Sequence, residues 1–486
     1  MSENASDKVL SQVRTRLQGV DYIFLDEVSM LSCYDIYRIS LQLSRVFNKP
    51  DVPFGGIDII FVGDFAQLPP PIGGENVSLY SHSVGQVATS LRSQEEAMGR
   101  AVWHQVTTVV ILQQNMRQHA NTAEDDEYHT ALENMRYKDC TPADIEFLRS
   151  RITSLQPGRP SICDPRFQNV SIITARNIQK DEINRLGCIK FAQETGQELM
   201  EFYSEDTLKV ATEENKPCKK RCTRKVANIS DDLQQVIWHL PHSSSADRQV
   251  PGKLSLCLGM PVIIKFNAAT ELCITNGQEA TQSVLGTRKQ LMLDTLFVKL
   301  VNPPTSIILD GLPENMVPLT QTTNIITCKL PDDSKISLLR SQVEVLPDFA
   351  MTDFASQGKT HPYNVVDLFN CCSHQAYYTV LSRSSTAEGT IIIQGFDAKK
   401  ITGRASCALR QEFRDLELLD EITKLQYESK LPSTVHGERR NNLIHTYREH
   451  KGMSYVPQAV HHSIRWNKSD PMLDPIEDDI QWKILI

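Results

Sequence analysis

Two short apolar runs that each end on acidic residues constrain this chain more than any other feature. Tyr22-Ile23-Phe24-Leu25 leads into Asp26-Glu27, and Ile59-Ile60-Phe61-Val62 leads into Gly63-Asp64, with Gln67 and Pro69-Pro70 just beyond. Between them Ile36, Ile39, Leu43 and Val46 recur at helical spacing. Continuous apolar strands joined through a helix predict a parallel sheet covered on both faces. A third apolar run, Val106 to Leu112, is expected to extend that sheet. Open α/β sheets bind ligands outside the carboxyl ends of their strands, and the acids stand there. Hydrolysing a phosphoanhydride needs Mg²⁺ held through oxygen ligands and a water that is oriented and deprotonated. Asp26 and Glu27 can divide those tasks. An acidic turn after a core strand would explain Asp-Glu alone, but Gln67 on the neighbouring strand can reach a terminal phosphate and favours a nucleotide site.

At 486 residues the chain has room for two to four domains. A hydrophobic fraction of 40% fits globular cores. The net charge of −8 argues against a uniformly basic DNA-coating protein, although a locally basic groove would still bind nucleic acid. Twelve scattered cysteines form no disulfide framework, residues 1 to 20 lack the apolar core of a signal peptide, and no run approaches a membrane span. A reducing intracellular compartment follows. The run from Lys216 to Lys225 holds six Lys or Arg around Cys218 and Cys222. It reads first as a solvated loop and second as a DNA contact or nuclear-import signal, hence an expected nuclear location.

A second α/β unit begins near Asp125, with a strand at Val170–Thr174 and a helix carrying Ile178, Ile183 and Leu186. Residues 203–253 read as a polar excursion. Short β segments follow at Pro261–Phe266, Leu296–Leu300, Ser306–Leu309 and Asn324–Leu330, with a tight-turn signal at Asn276-Gly277. The α/β pattern returns with strands near Tyr378–Leu381 and Thr390–Gln394. Beyond Gly403, Leu409, Phe413, Leu416, Leu419 and Ile422 share one helix face. His445, His450, His461 and His462 match no helical zinc pair and are expected to be solvated or core histidines.

Six segments in order resemble superfamily-one DNA helicases of the PIF (petite integration frequency) type, in the flavour carried by Helitron transposons. Leu25-Asp26-Glu27-Val28-Ser29-Met30 resembles motif II and Gly63-Asp64-Phe65-Ala66-Gln67-Leu68-Pro69-Pro70 motif III. Leu112-Gln113-Gln114-Asn115-Met116-Arg117-Gln118 resembles the next motif, and Leu258–Val262 through Thr275-Asn276-Gly277 the entry to an inserted barrel. Ser356-Gln357-Gly358 resembles motif V, and Gln375-Ala376-Tyr377-Tyr378-Thr379-Val380-Leu381-Ser382-Arg383 motif VI.

The resemblance implies two RecA-like parallel-sheet domains of the P-loop NTPase type, a small β-barrel insertion and a helical C-terminal tail. The expected boundaries are 1–120 and 121–275 for the first domain and the first part of the second. The barrel takes 276–345, the rest of the second domain 346–402, and the extension 403–486. It further implies an ATP-dependent helicase stepping 5′-to-3′ on single-stranded DNA and unwinding duplex junctions, in repair, recombination or telomere maintenance. ATP is the substrate and Mg²⁺ the cofactor. Glu27 is then the base, Asp26 the Mg²⁺ anchor and Gln67 the γ-phosphate sensor. Arg117 and Arg383 stabilise the transition state, since a permanently charged planar guanidinium suits a transferring phosphoryl group, and Gly358 lies at the nucleotide. Phe65, Pro69, Pro70, Ser356, Gln357 and Lys359 are the expected DNA contacts, by stacking and phosphate hydrogen bonds. A rigid turn explains Pro69 and Pro70 equally well.

Two departures stand against this pattern. Ala355 occupies the place of a Lys before Ser-Gln-Gly. No Gly-x-x-x-x-Gly-Lys-Ser/Thr phosphate cradle occurs: Gly358-Lys359-Thr360 has Asp353, not Gly, five residues before Gly358. The first domain is therefore expected to be incomplete, truncated before its Walker A motif. A catalytically inactive remnant that binds nucleic acid or a protein remains the alternative.

Overall fold

The computed structural model describes residues 7–85, 90–118, 122–156, 158–209, 226–227, 229–240, 250–289, 292–458 and 460–465. The basic run 216–225, with Cys218 and Cys222, lies outside them. The ten cysteines among the described residues are all free thiols, and no described helix is long and apolar enough to cross a membrane.

In the first domain, β1 (Tyr22–Leu25) and β2 (Asp58–Phe61) pair in parallel, with Tyr22 opposite Asp58 and Leu25 opposite Phe61. Helix α1 (Asp7–Arg16) packs on α2 (Cys33–Phe47), and α2 packs on α3 (Leu91–Trp103). A capping box starts α2: Ser32 accepts from the Asp35 N–H while Asp35 accepts from the Ser32 N–H. The two helices meet so closely that a Cβ at Gly99 would lie 1.7 Å from the Cys33 carbonyl oxygen.

Two expectations fail in this domain. Among the described residues the sheet is covered on one face only: Ile59 and Phe61 turn inward onto the core, whereas Tyr22 and Phe24 are 58% and 68% exposed on the other side. Val106–Leu112 is extended but joins no ladder. Its alternate N–H groups are satisfied elsewhere, Val109 donating to Thr423 Oγ1 at 3.0 Å and Ile111 to Asp420 Oδ1 at 2.8 Å.

The second domain opens with α4 (Ala123–Arg136), α5 (Pro142–Ser150), β3 (Ile172–Thr174) and α6 (Asn177–Thr195). An insertion follows. It begins with β4 (Met200–Tyr203), β5 (Glu205–Lys209), β6 (Val226–Ala227), α7 (Asp231–Trp238) and β7 (Lys253–Leu256). It continues through β8 (Pro261–Ile264), β9 (Glu279–Lys289), β10 (Met292–Leu300) and β11 (Met316–Thr320). It closes with β12 (Thr322–Lys329), β13 (Lys335–Gln342) and β14 (Val345–Pro347).

The insertion is larger than the predicted 276–345 and, rather than one barrel, holds two larger sheets and a two-stranded pair of β4 with β7. One sheet runs β11-β10-β9-β8-β14; the other, β12-β13-β5-β6, draws part of the polar excursion into a fold. The reason is charge burial: Asp206 on β5 takes a bidentate contact from Arg340 on β13 at 2.8 and 3.0 Å. Ser306–Leu309 is not a strand, because only Ile307 pairs, and with a single residue, Asn315.

The chain then returns to the second domain through β15 (Ala350–Thr352), α8 (Asp353–Ser356), β16 (Asn364–Val366), α9 (His374–Leu381) and β17 (Thr390–Ile392). The parallel sheet has the order β15-β3-β16-β17. The predicted strand at Tyr378–Leu381 is part of α9, which is buried nearly all round and so shows no periodic polar face. Ser373 caps it by accepting from the Ala376 N–H. Helix α10 (Cys407–Tyr427) buries Leu409 and Phe413 against the first domain, and Leu418, Leu419 and Ile422 against α11 (Arg440–Lys451). Trp103 Nε1 and both Arg440 terminal nitrogens converge on Glu412 Oε1, each at 3.1 Å. The extension thus braces the first domain.

Candidate nucleotide-hydrolysis cleft

The ends of β1 and β2 are stitched together by Val62 N–H to the Leu25 carbonyl at 2.8 Å and Val28 N–H to the Val62 carbonyl at 3.0 Å. The approach is close enough that a Cβ at Gly63 would lie 2.8 Å from the Val28 nitrogen. The turn places Glu27 in the left-handed region, φ 55°, where a residue without glycine's freedom pays strain. Asp26 is exposed, and its Oδ1 accepts the Glu27 N–H at 2.8 Å, leaving Oδ2 open to solvent. A free carboxylate oxygen at a strand end is the donor Mg²⁺ takes.

Glu27 Oε2 accepts from Gln357 Nε2 of the second domain at 2.5 Å. Gly358, at φ 81°, leaves room beside it: a Cβ there would stand 3.6 Å from Glu27 Oε1. Gln67 Oε1 lies 3.4 Å from Arg383 NH2. Arg383 is 1% exposed and held by the Thr379 carbonyl at 2.8 Å and Ser382 Oγ at 2.9 Å. Burial, and then the Arg117 charge, pull its guanidinium down to about 10. An anion between the two arginines would relieve both effects. Arg117 donates from Nε to Thr360 Oγ1 at 2.8 Å and from NH1 to the Ser382 carbonyl at 3.2 Å. Glu27, Gln67, Arg117, Gly358 and Arg383 therefore share one cleft between the domains.

The expected DNA contacts fare differently. Phe65 is 4% exposed and packs edge-on against Tyr80 and Trp103, so it is a core aromatic and not a base-stacking one. Ser356 is fully buried, its hydroxyl donating to the Asp353 carbonyl at 2.7 Å. Gln357 is spent on Glu27, and Lys359 pairs with Glu279 of β9 at 2.7 Å. Pro70 is buried and Pro69 half-buried, which fits the rigid-turn reading.

Two contributors were not singled out from the sequence. Arg136, at the end of α4, donates to both carboxylate oxygens of Asp64 and, at 2.9 Å, to Tyr378 Oη. Gln375, fully buried, donates to the Phe65 carbonyl and to Tyr80 Oη, each at 3.1 Å. Gln375 opens the last quoted motif and was findable there; nothing local marks Arg136. Together they lock the segment after β2 to the second domain.

The family model for PIF1-like helicases matches residues 4–137. The "Uncharacterized protein 030L" of Invertebrate iridescent virus 6 is 23% identical over 461 residues, covering 83% of this chain and 76% of that protein. The ATP-dependent DNA helicase PIF1 of Trypanosoma brucei brucei is 44% identical over 55 residues, 11% of this chain and 6% of that protein. Among solved structures, Bacteroides Pif1 bound to ssDNA superposes with a TM-score of 0.54 at 17% identity, covering 86% of this chain and 79% of that one. Pif1 helicase from Candida albicans gives 0.53 at 18% identity, covering 83% and 78%. The fold is that of these solved Pif1 helicases, with RecA-like parallel α/β domains.

Proposed function

We propose, from the premise that this chain is a PIF1-like helicase, that its cleft is the hydrolysis half of an ATP site driving 5′-to-3′ movement along single-stranded DNA and the opening of duplex junctions. The observation that carries the reading is the meeting of Glu27 with Gln357 and of Gln67 with Arg383 across two domains. Groups that touch across the cleft sense its opening and closing, as coupling of hydrolysis to stepping requires. Glu27 orients and deprotonates the attacking water. Arg383 and Arg117 supply positive charge where the transferring phosphoryl group gathers negative charge. Asp26 would hold Mg²⁺, which neutralises phosphate charge when bound. Repair, recombination or telomere maintenance would be the setting. A nuclear location rests on the run 216–225, and a fluorescent fusion lacking those residues tests it.

A second reading rests on two observations: the phosphate-cradle motif is not among these residues, and Tyr22 and Phe24 on the outer sheet face are exposed among the described residues. In that reading the chain binds DNA without turnover. The test is Mg·ATP hydrolysis with and without single-stranded DNA, beside fluorescence-anisotropy DNA binding, for the wild type, Glu27→Gln and Arg383→Ala. DNA-stimulated turnover abolished by both substitutions supports the enzyme. DNA binding without turnover supports the second reading, and absence of both overturns the two together.

A further inference from the structure

The two adjacent histidines near the end of the described chain do not lie alone. His461 and His462 begin a short 3-10 turn, His462–Ile464, whose Ile464 is buried with Val460 in the first-domain core. That anchoring brings both rings onto the turn between α4 and α5, more than three hundred residues earlier in the chain. There Lys138 adopts φ 56° and the Asp139 N–H donates to the Asn134 carbonyl at 3.0 Å, which aims the Asp139 side chain at the histidines. His462 Nε2 stands 2.7 Å from Asp139 Oδ2. His461 is stacked on Tyr137, centroids 4.4 Å apart at 15°, with its Nε2 3.1 Å from Asn134 Oδ1. One ligand atom from each of Asp139, His461 and His462 falls within 4.8 Å of the others.

We propose that Asp139, His461 and His462 form a binding site for a divalent transition-metal ion of the zinc class. Two imidazoles and one carboxylate are a ligand set such ions accept. Zinc bonds of about 2.0–2.2 Å would set tetrahedral ligand atoms roughly 3.4 Å apart. Small side-chain rotations reach that from the present spacing. Asn134 Oδ1 or water completes the shell. Ser463 Oγ stands 2.7 Å from His461 Nδ1 and can accept its proton; in that tautomer Nδ1 carries the N–H, Nε2 presents its lone pair to the metal, and the contact from the Ser463 N–H to Nδ1 is given up. Spacing along the chain hides this set, because the acid that completes it comes from the other end of the polypeptide. A bound ion would clasp the C-terminal segment to the second domain beside the Arg136–Asp64 contact.

The experiment uses the full chain without a histidine tag. Zn²⁺ is titrated against a chromophoric chelator, and Co²⁺ is followed by its visible absorption. The exposed thiols of Cys163, Cys372 and Cys407 could take metal elsewhere, and Co²⁺ separates them by the near-ultraviolet charge-transfer band that thiolates give. The expected result is a one-equivalent site without that band. Both Asp139→Asn and His462→Ala should weaken it by more than about tenfold, since loss of even an outer-shell partner costs about that much. His445→Ala should leave it intact. Asp139→Asn keeps the shape of the side chain, so it reports on ligation even where His462→Ala disturbs the turn. No saturable binding, or binding unchanged in Asp139→Asn and His462→Ala, means a His–Asp ion pair only and overturns the proposal.

Discussion

Asp353 begins α8, immediately before the residues that reach into the cleft, and is only 5% exposed. Burial raises its carboxyl to about 6, partly offset by the Phe354 N–H donating to Oδ1. The folded state therefore holds the proton more tightly than the unfolded chain, whose carboxyl titrates near 3.9. The stability linked to that proton is complete below the unfolded value and is lost as pH rises through about 6. Asp353→Asn removes the titration. The variant should be more stable than wild type at pH 8, by on the order of 2–3 kcal/mol, and the gain should vanish near pH 4. Urea denaturation at both pH values checks this; a gain independent of pH would show that ionisation is not its cause. Arg136 makes the opposite case. Burial, the largest single effect, would lower its pKa, but Asp64 together with Tyr378, Tyr137 and Glu133 outweighs it and raises the value well above the usual one. Arg136→Met leaves the half-buried Asp64 carboxylate with the Ala66 N–H in place of its guanidinium, and a loss of about 1–2 kcal/mol is expected in the same assay. Asp64 was legible as part of a motif. Arg136 was not, because an arginine closing a helix is usually a solvated charge, and only the fold shows that it faces Asp64.

At the scale of elements, period and composition located segments well but could not say what each would pair with. β1, β2, β3, β17, α2 and α10 fall where apolar spacing put them. Val106–Leu112 has the composition of a strand and an extended backbone, yet its hydrogen bonds go to side chains of α10. A ladder needs two partners, and a sequence declares only one. α9 failed for another reason: it is buried on all sides, so helix and strand look alike in its apolar run. The contact between Ile111 and α10 makes a prediction at this scale. A hydrogen bond to a charged acceptor contributes about 1.5–3 kcal/mol. Asp420→Ala should thus speed hydrogen exchange of the Ile111 amide by about tenfold or more. The neighbouring Val109 amide, held by Thr423, should respond less. Equal, unchanged exchange at both amides would show that α10 does not hold this segment.

For the molecule as a whole, five of the six ordered motifs located the cleft, because the residues they contribute, Glu27, Gln67, Arg117, Gln357 and Arg383, are turned toward one gap. The insertion was less legible. Its second sheet is assembled from β5 and β6 together with β12 and β13, and residues so distant in sequence leave no periodic trace of their pairing. The same whole-molecule view bears on turnover. In the proposed reading Glu27, Gln67, Arg117 and Arg383 would act on the terminal phosphate, but holding the β- and γ-phosphates falls to backbone N–H groups and a lysine of a cradle. Within these residues the only Gly-Lys-Thr, at Gly358, lacks the earlier glycine, and its lysine is paired with Glu279. Transition-state groups without a phosphate grip lose most of the positioning on which phosphoryl transfer depends. The 486-residue polypeptide should therefore show only slow DNA-stimulated ATP hydrolysis, and Glu27→Gln should abolish what remains. Steady-state phosphate release with saturating single-stranded DNA measures both. Brisk turnover that Glu27→Gln abolishes would mean that residues other than a Gly-Lys-Thr cradle grip the phosphates, and would make Arg117 and Arg383 the first places to look for that grip.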